Sequence, residues 1–235
     1  MAVIAAAVLA GIGVLFFKLF QIRGIEVSGA TPYTAEQVIQ GSGIKVGRNI
    51  LFTGLKEAEE ALTTKLPYIG AAEIVRKLPD KIRINTRETK AACVLNAGGL
   101  SLYIDPNGKV LGQAPSGKKA VVPGLKCPPP ASAQTGRVLA FSDDSRYGVL
   151  AIYKDTLAAV KNSGLKDITL IDLSNPKDVT LVYKERVELH IGTPTKLENR
   201  LQLAAAVLND RNTDTSRKGR IDLTIDKKAY YIEYN

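Results

Sequence analysis

The stretch Leu66–Ala92, LPYIGAAEIVRKLPDKIRINTRETKAA, decides the fold. It reads as a helix end, a turn at Leu66-Pro67, a strand near Ala72–Lys77, a tight turn at Leu78-Pro79-Asp80 and a second strand, Lys81–Glu88. In that second strand Ile82, Ile84 and Thr86 alternate with Lys81, Arg83, Asn85 and Arg87, the period of two of a half-buried strand. Pro79 suits the turn, because its fixed φ fits there and it cannot donate to a ladder.

Upstream, Gln21–Ser28 reads as a strand, followed by the turn Gly29-Ala30-Thr31-Pro32. Thr34 with Gln37 makes a capping-box pattern and predicts a helix over about Ala35–Gln40, stopped by Gly41 and Gly43. Gly47-Arg48-Asn49 turns into an apolar plug, Ile50-Leu51-Phe52. A second helix follows over about Leu55–Lys65, with Leu55, Leu62 and Leu66 on one face. The order is strand, helix, helix, strand, strand.

Ahead of this, Ala2–Phe17 carries no charge, and apolar character resumes after Lys18. As a helix this run spans about 24 Å, and a snorkelling Lys18 lets Leu19 and Phe20 extend it toward bilayer thickness. A membrane anchor, a cleaved signal peptide and a buried helix are the three readings. The anchor is preferred: no basic segment precedes the run, and Phe-Phe-Lys-Leu-Phe is a poor cleavage context. Lys18 and Arg23 lie C-terminal to the run, the side the positive-inside rule would assign to the cytoplasm. A basic cytoplasmic tail ahead of residue 1 would resolve that conflict.

Downstream, Leu102–Asp105 and Val110-Leu111 flank an Asn-Gly turn and read as a hairpin. Residues 114–130 read as a Pro- and Lys-rich surface loop, with a short strand at Val121–Leu125. A long helix is expected over about Asp144–Ser163, with Val149, Tyr153, Leu157 and Val160 as its buried stripe and Gly164 just past its end. Ile168–Leu173, Val179–Tyr183 and Val187–Ile191 form a meander. Thr195 with Glu198 is a second capping-box pattern, opening a helix with Leu197, Leu201, Ala205 and Leu208 on one face. Ile221–Ile225 and Ala229–Tyr234 close the chain as two strands around Asp226-Lys227-Lys228, with Ile221, Leu223 and Ile225 sharing a face.

The 235 residues can bury one or two cores, and the net charge of +9 favours acidic partners or a solubilising surface. One His and two Cys exclude a His-based metal cage and a two-His catalytic site. Cys93 and Cys127 match no metal spacing and read as two unrelated thiols, or as a pair if the domain is exported. His190 lies on an apolar strand and reads as a sheet residue. Asp143-Asp144 fits helix N-capping better than paired catalysis, and Asp105 shapes its turn. No phosphate loop, zinc pattern or nucleophile elbow is present, so neither an enzyme nor a cofactor site is expected.

Ile25-Glu26-Val27-Ser28-Gly29, Gly47-x-Asn49-Ile50-Leu51-Phe52, Leu66-Pro67-x-Ile69-x-x-Ala72 and Val75-Arg76-Lys77-Leu78-Pro79 occur in order behind one apolar run. This series resembles the POTRA domain of the FtsQ/DivIB family of bacterial cell-division proteins. It continues through Arg87-Glu88 and Ala91-Ala92 into Tyr103-Ile104-Asp105-x-x-Gly108-x-Val110-Leu111, similar to the opening of that family's β domain. The expected fold is α+β. A single transmembrane helix occupies residues 1–20 and a βααββ POTRA domain 21–90. A mainly antiparallel-sheet β domain with flanking helices occupies 91–235.

Two surfaces are candidates for function. Arg76, Lys77, Lys81, Arg83 and Arg87 form either a solvated sheet face or an electrostatic contact with an acidic partner or lipid heads. Nucleic acid is disfavoured, since no aromatic residues interleave these charges. The terminal strand Ala229-Tyr230-Tyr231-Ile232-Glu233-Tyr234 is either an ordinary edge or a site for strand addition. The resemblance implies the latter, with FtsB/DivIC-like and FtsL-like division proteins as partners. It implies a non-catalytic, single-pass scaffold of the divisome in the cell membrane, its bulk extracytoplasmic and enriched at the septum. A POTRA-bearing component of polypeptide secretion or outer-membrane assembly is the alternative, though the chain lacks a series of barrel strands.

Overall fold

Ile82 and Ile84 are fully buried while Lys81 and Arg87 are exposed, so the alternation read in this strand is the alternation of a sheet with one covered face. In this computed structural model the chain divides into two compact units, Met1–Thr89 and Lys90–Asn235. The structure describes residues 1, 4, 9, 11, 13, 17–115, 121–143, 145, 148–210 and 217–234. The expected anchor falls mostly outside those residues. Among the described residues no helix is long and apolar enough to cross a membrane.

The first unit runs β1 (Gly24–Gly29), α1 (Ala35–Ser42), α2 (Leu55–Lys65), β2 (Ile69–Lys77) and β3 (Lys81–Glu88). Its sheet has the order β1-β3-β2, with β1 parallel and β2 antiparallel to β3. Thr34 Oγ1 accepts the Gln37 N–H while Gln37 Oε1 accepts the Thr34 N–H, the reciprocal cap expected for α1. Gly41 does not stop that helix. It is buried within it, and Gly43 ends it in the left-handed region at φ 71°. Strand β2 begins at Ile69, three residues before Ala72. Gly70-Ala71-Ala72 carry no large side chains to show the alternation, and the register is shifted between Ile69 and Ala71. Gly29 ends β1 at φ 100°, where an added Cβ would lie 2.0 Å from the Thr86 carbonyl oxygen. Ile22, Val38, Ile50, Leu62, Ile69, Ile74, Ile82 and Ile84 fill the core.

The second unit contains β4 (Cys93–Ala97), β5 (Leu100–Ile104), β6 (Val110–Gln113), β7 (Gly124–Lys126), α3 (Val149–Ser163), β8 (Ile168–Asp172), β9 (Val179–Tyr183), β10 (Val187–Gly192), α4 (Leu197–Asn209), β11 (Gly219–Asp222) and β12 (Tyr230–Glu233). These strands form a nine-stranded sheet, β12-β11-β10-β9-β8-β7-β4-β5-β6. The meander and both hairpins are antiparallel, whereas β4–β7, β7–β8 and β10–β11 are parallel. A row of apolar side chains crosses the sheet in register: Tyr231, Ile221, Leu189, Leu181, Ile171, Leu125, Leu95 and Leu102. It packs in one core with Ile152 and Tyr153 of α3 and Leu201 of α4. Full burial of each such side chain is worth about 1.5–3 kcal/mol.

Several local expectations are corrected in this unit. Helix α3 starts at Val149, with Gly148 as a cap that offers no side-chain bond. Asp143 Oδ1 instead accepts the Ser145 N–H, a local turn rather than a helix cap, and Asp144 lies outside the described residues. The buried stripe of α3 is Val149, Ile152, Tyr153, Thr156 and Ala159, with Leu157 and Val160 at its margin. Thr195 and Glu198 do not form a capping box, because Lys196 caps α4 in the left-handed region, and the helix buries Ala204 rather than Ala205. Ile225 lies beyond the end of β11 and is exposed, unlike Ile221 and Leu223.

Candidate functional site

Strand β12 ends the larger sheet, and β11 is its neighbour. The pairing Ile221↔Tyr231 places Tyr231 on the core side, where it packs against the buried cluster. By alternation Tyr230, Ile232 and Tyr234 point the other way, and all three are exposed. Ala229 lies just before the strand, half-buried against the core, and the Glu233 carboxylate pairs with Arg217 at 2.6 Å. Tyr234 N–H donates to the Lys218 carbonyl at 3.0 Å, which makes 234/218, 232/220 and 230/222 the hydrogen-bonded pairs. The Glu233 N–H therefore points away from β11.

The edges of β6 and β2 are engaged. Residues 136–138 run along β6: Val110 N–H donates to the Arg137 carbonyl and Gly136 N–H to that of Val110. On β2 the Ile74 N–H donates to Glu59 Oε1 of α2 at 2.7 Å. A strand edge blunted in this way is a poor template for a partner.

Beside β12, on its exposed face, lies a polar network invisible in the sequence. His190 Nε2 is 2.7 Å from Asp178 Oδ1, and Arg220 Nη2 contacts His190 Nδ1. This arrangement requires the tautomer in which Nε2 carries the proton and donates to Asp178, while Nδ1 accepts from Arg220. Asp222 Oδ2 stands 3.8 Å from His190 Nδ1. The Asp222 carboxyl is held below the usual carboxylate range, first by the Thr224 hydroxyl and N–H and more weakly by the Arg220 guanidinium. Tyr234 Oη donates to Glu188 Oε2 at 3.1 Å, joining the last strand to β10. Only the cross-strand register brings these residues together; their sequence spacing carries no signal.

The basic set divides. Val75↔Arg83 and Lys77↔Lys81 share the solvent face, where Arg83 pairs with Glu26 at 2.9 Å and Lys81 with the same carboxylate at 3.7 Å. Arg87 is exposed on that face. Arg76 stands opposite Ile82, on the core face. Its Nε donates to the Ile50 carbonyl at 2.8 Å and its Nη2 to the Thr53 carbonyl at 2.8 Å. Arg76 is thus a clamp on the Ile50–Thr53 loop, a role that strand alternation alone could not reveal.

No group of three or more His, Cys, Asp or Glu residues among the described positions could hold a metal ion. Cys93 and Cys127 are free thiols. Burial pushes the Cys93 thiol up to about 12 and that of Cys127 up to about 11, so neither is an activated nucleophile. Asp105 Oδ1 accepts the N–H groups of Asn107 and Lys109, shaping its turn as expected, and Tyr153 Oη donates to the Asp105 carbonyl. A cleft of about 780 Å³, walled by Pro128, Phe141, Val149, Ile152, Pro176 and Pro194, opens near the start of α3.

Comparison with known proteins agrees with this division of the chain. Residues 20–88 match the model of the POTRA domain of FtsQ type, and residues 92–224 match that of the cell division protein FtsQ/DivIB C-terminal domain. The cell division protein DivIB of Clostridium botulinum strain Hall is 28% identical over 216 residues, covering 91% of this chain and 82% of that protein. DivIB of Clostridium acetobutylicum is also 28% identical, over 90% of this chain and 82% of its own length. FtsQ of Koribacter versatilis is 24% identical over 91% of this chain and 60% of that protein. With the second model matching more than half of the sequence behind a POTRA domain of the same type, the chain belongs to the FtsQ/DivIB family of cell division proteins.

Proposed function

We propose that this protein is a non-catalytic, single-pass membrane scaffold of the divisome. It binds FtsB/DivIC-like and FtsL-like proteins and so helps regulate septum formation and septal peptidoglycan synthesis. Relatives named as cell division proteins support the process. The uncharged run within residues 1–20 supports the anchor, with residues 21–90 and 91–235 as extracytoplasmic domains enriched at the division septum.

The observation that carries the reading is the place of β12 at the end of the sheet, with Tyr230, Ile232 and Tyr234 exposed on its outer face. A strand added there gains main-chain hydrogen bonds, and the tyrosines offer it an apolar body with a polar tip. The test is a pull-down of the protein with the FtsB/DivIC-like and FtsL-like proteins of the same genome. Glu233→Pro removes an N–H that points away from β11, so β12 keeps its place while the docking edge is interrupted. Binding should fall at least about tenfold, the cost of roughly one to two charge-free hydrogen bonds and a blocked register. A chain ending at Lys228 should not bind. Undiminished binding by both forms would overturn the assignment.

A further inference from the structure

Three stretches of the first unit meet where the chain leaves its N-terminal segment. Gly47 N–H donates to the Ile22 carbonyl at 2.8 Å, Ile22 N–H to that of Arg48 at 2.9 Å and Ile50 N–H to that of Phe20 at 2.8 Å. The loop 45–53 therefore runs beside residues 20–22. On the other flank Arg23 N–H donates to the Asp80 carbonyl at 2.8 Å, which brings the β2–β3 turn to the same end. Arg76, at the end of β2, ties the two loops together through the Ile50 and Thr53 carbonyls.

This end is where the unit exposes its large apolar side chains. Phe52 is 81% exposed, Val46 63% and Leu78 59%; Leu51 is exposed next to Phe52, and Phe17 and Leu19 in the N-terminal segment. Among the described residues of this unit, every exposed large hydrophobic lies either in the N-terminal segment or on these two loops. The helices, the sheet and the far-end turn expose none. Lys18, Arg23, Lys45, Arg48, Lys77 and Lys81 are exposed around the same end. The acidic groups there are Asp80, 3.9 Å from Arg23, Glu26, paired with Lys81 and Arg83, and Glu57 in the first turn of α2, its carboxylate beside Gly54.

We propose that this end is a foot on the membrane surface. Phe52, Leu51, Val46 and Leu78 enter the interfacial layer of an anionic bilayer, while the surrounding lysines and arginines lie at headgroup level. The occupant is lipid because the apolar patch continues the uncharged N-terminal run and its rim is cationic. The inference rests on the membrane-anchor reading and adds to it. The anchor alone would leave the unit free to tumble on its tether, whereas two laced apolar loops hold it with one end against the bilayer.

The absence of Trp from the chain makes the test direct. Phe52→Trp places a single reporter in the foot, and Ala30→Trp places one in the exposed turn after β1, a strand length of about 20 Å away. The full chain is reconstituted in phosphatidylglycerol–phosphatidylcholine vesicles, with and without lipids brominated in the upper acyl chain. Phe52→Trp emission should be blue-shifted and quenched about twofold by the brominated lipids, and that of Ala30→Trp should be neither. Val46→Trp, on the same loop, should repeat the result. Equal, solvent-like emission from all three proteins in floating vesicles would overturn the foot and leave the anchor standing. A protein that does not float with the vesicles would overturn both. Emission that shifts only when the FtsB/DivIC-like protein is added, or only as the protein self-associates, would assign the surface to a protein and overturn the proposal.

Discussion

Arg76 Nε donates a 2.8 Å hydrogen bond to the carbonyl oxygen of Ile50, across the gap between a strand end and a loop that has no regular structure of its own. Through Nη2 the same guanidinium reaches the Thr53 carbonyl at 2.8 Å. One planar cation thereby satisfies carbonyls that the loop could not pair internally. Ile50 is fully buried, so the clamp also fixes a core residue in place.

Replacing Arg76 by Met should therefore cost about 2 kcal/mol, the value of charge-assisted bonds left without a donor. Arg76→Lys should recover only part of this, since an ammonium cannot reproduce the fork. Urea unfolding of the three proteins side by side gives the differences. A loss below about 0.5 kcal/mol for Arg76→Met would show a solvated cation of ordinary surface value.

The row of side chains that crosses the larger sheet predicts a sharp contrast between its two faces. Leu189, within the row and fully buried, should cost about 2–5 kcal/mol when cut to Ala. Ile232→Ala, on the exposed face of β12, should change stability by less than about 0.5 kcal/mol while weakening partner binding. Thermal unfolding and the pull-down measure the two quantities separately. Equal destabilisation by both substitutions would mean that the outer face of β12 is covered.

Glu26 makes acid stability partly a property of the first unit. Its carboxyl is held below the ordinary value of 4.5, first by the Arg83 hydrogen bond and charge and then by Lys81. A folded-state pKa depressed in this way contributes stability that is fully present above the unfolded value and is lost as pH falls through the folded one. Glu26→Gln should thus lower stability near neutral pH and narrow to no difference in strong acid. Denaturant midpoints measured from pH 7 downward check this. A gap that widens in acid would contradict the pairing.

Both thiols should resist alkylation in the native protein. With Cys127 pushed up to about 11 from an ordinary 9.0, its thiolate fraction near pH 8 is lower by about a hundredfold. Cys93, fully buried, should be modified only on unfolding. Iodoacetamide labelling followed by peptide mass analysis, with and without urea, reads both rates. Rapid native labelling of Cys93 would show that the strand end opens.

Local chemistry determined much of the first unit from the sequence alone. The Thr34–Gln37 cap, the α2 boundaries and the Lys81–Glu88 alternation are interactions among neighbours, so residue order carries them. The apparent capping box at Thr195–Glu198 fails for the complementary reason. Lys196 is held in the left-handed region while Arg200 of α4 donates to the Ile191 and Thr193 carbonyls, contacts set by the end of β10 and not by the motif. Only the tertiary structure could place β11 parallel to β10, put β12 at the sheet's end and assemble Asp178, His190, Arg220 and Asp222 on one face. It likewise separated Arg76 from the other basic residues of its hairpin and set its guanidinium on the Ile50–Thr53 loop. Strand order and the company a charge keeps are non-local, decided when distant segments bury their apolar faces together, and spacing along one chain does not record them.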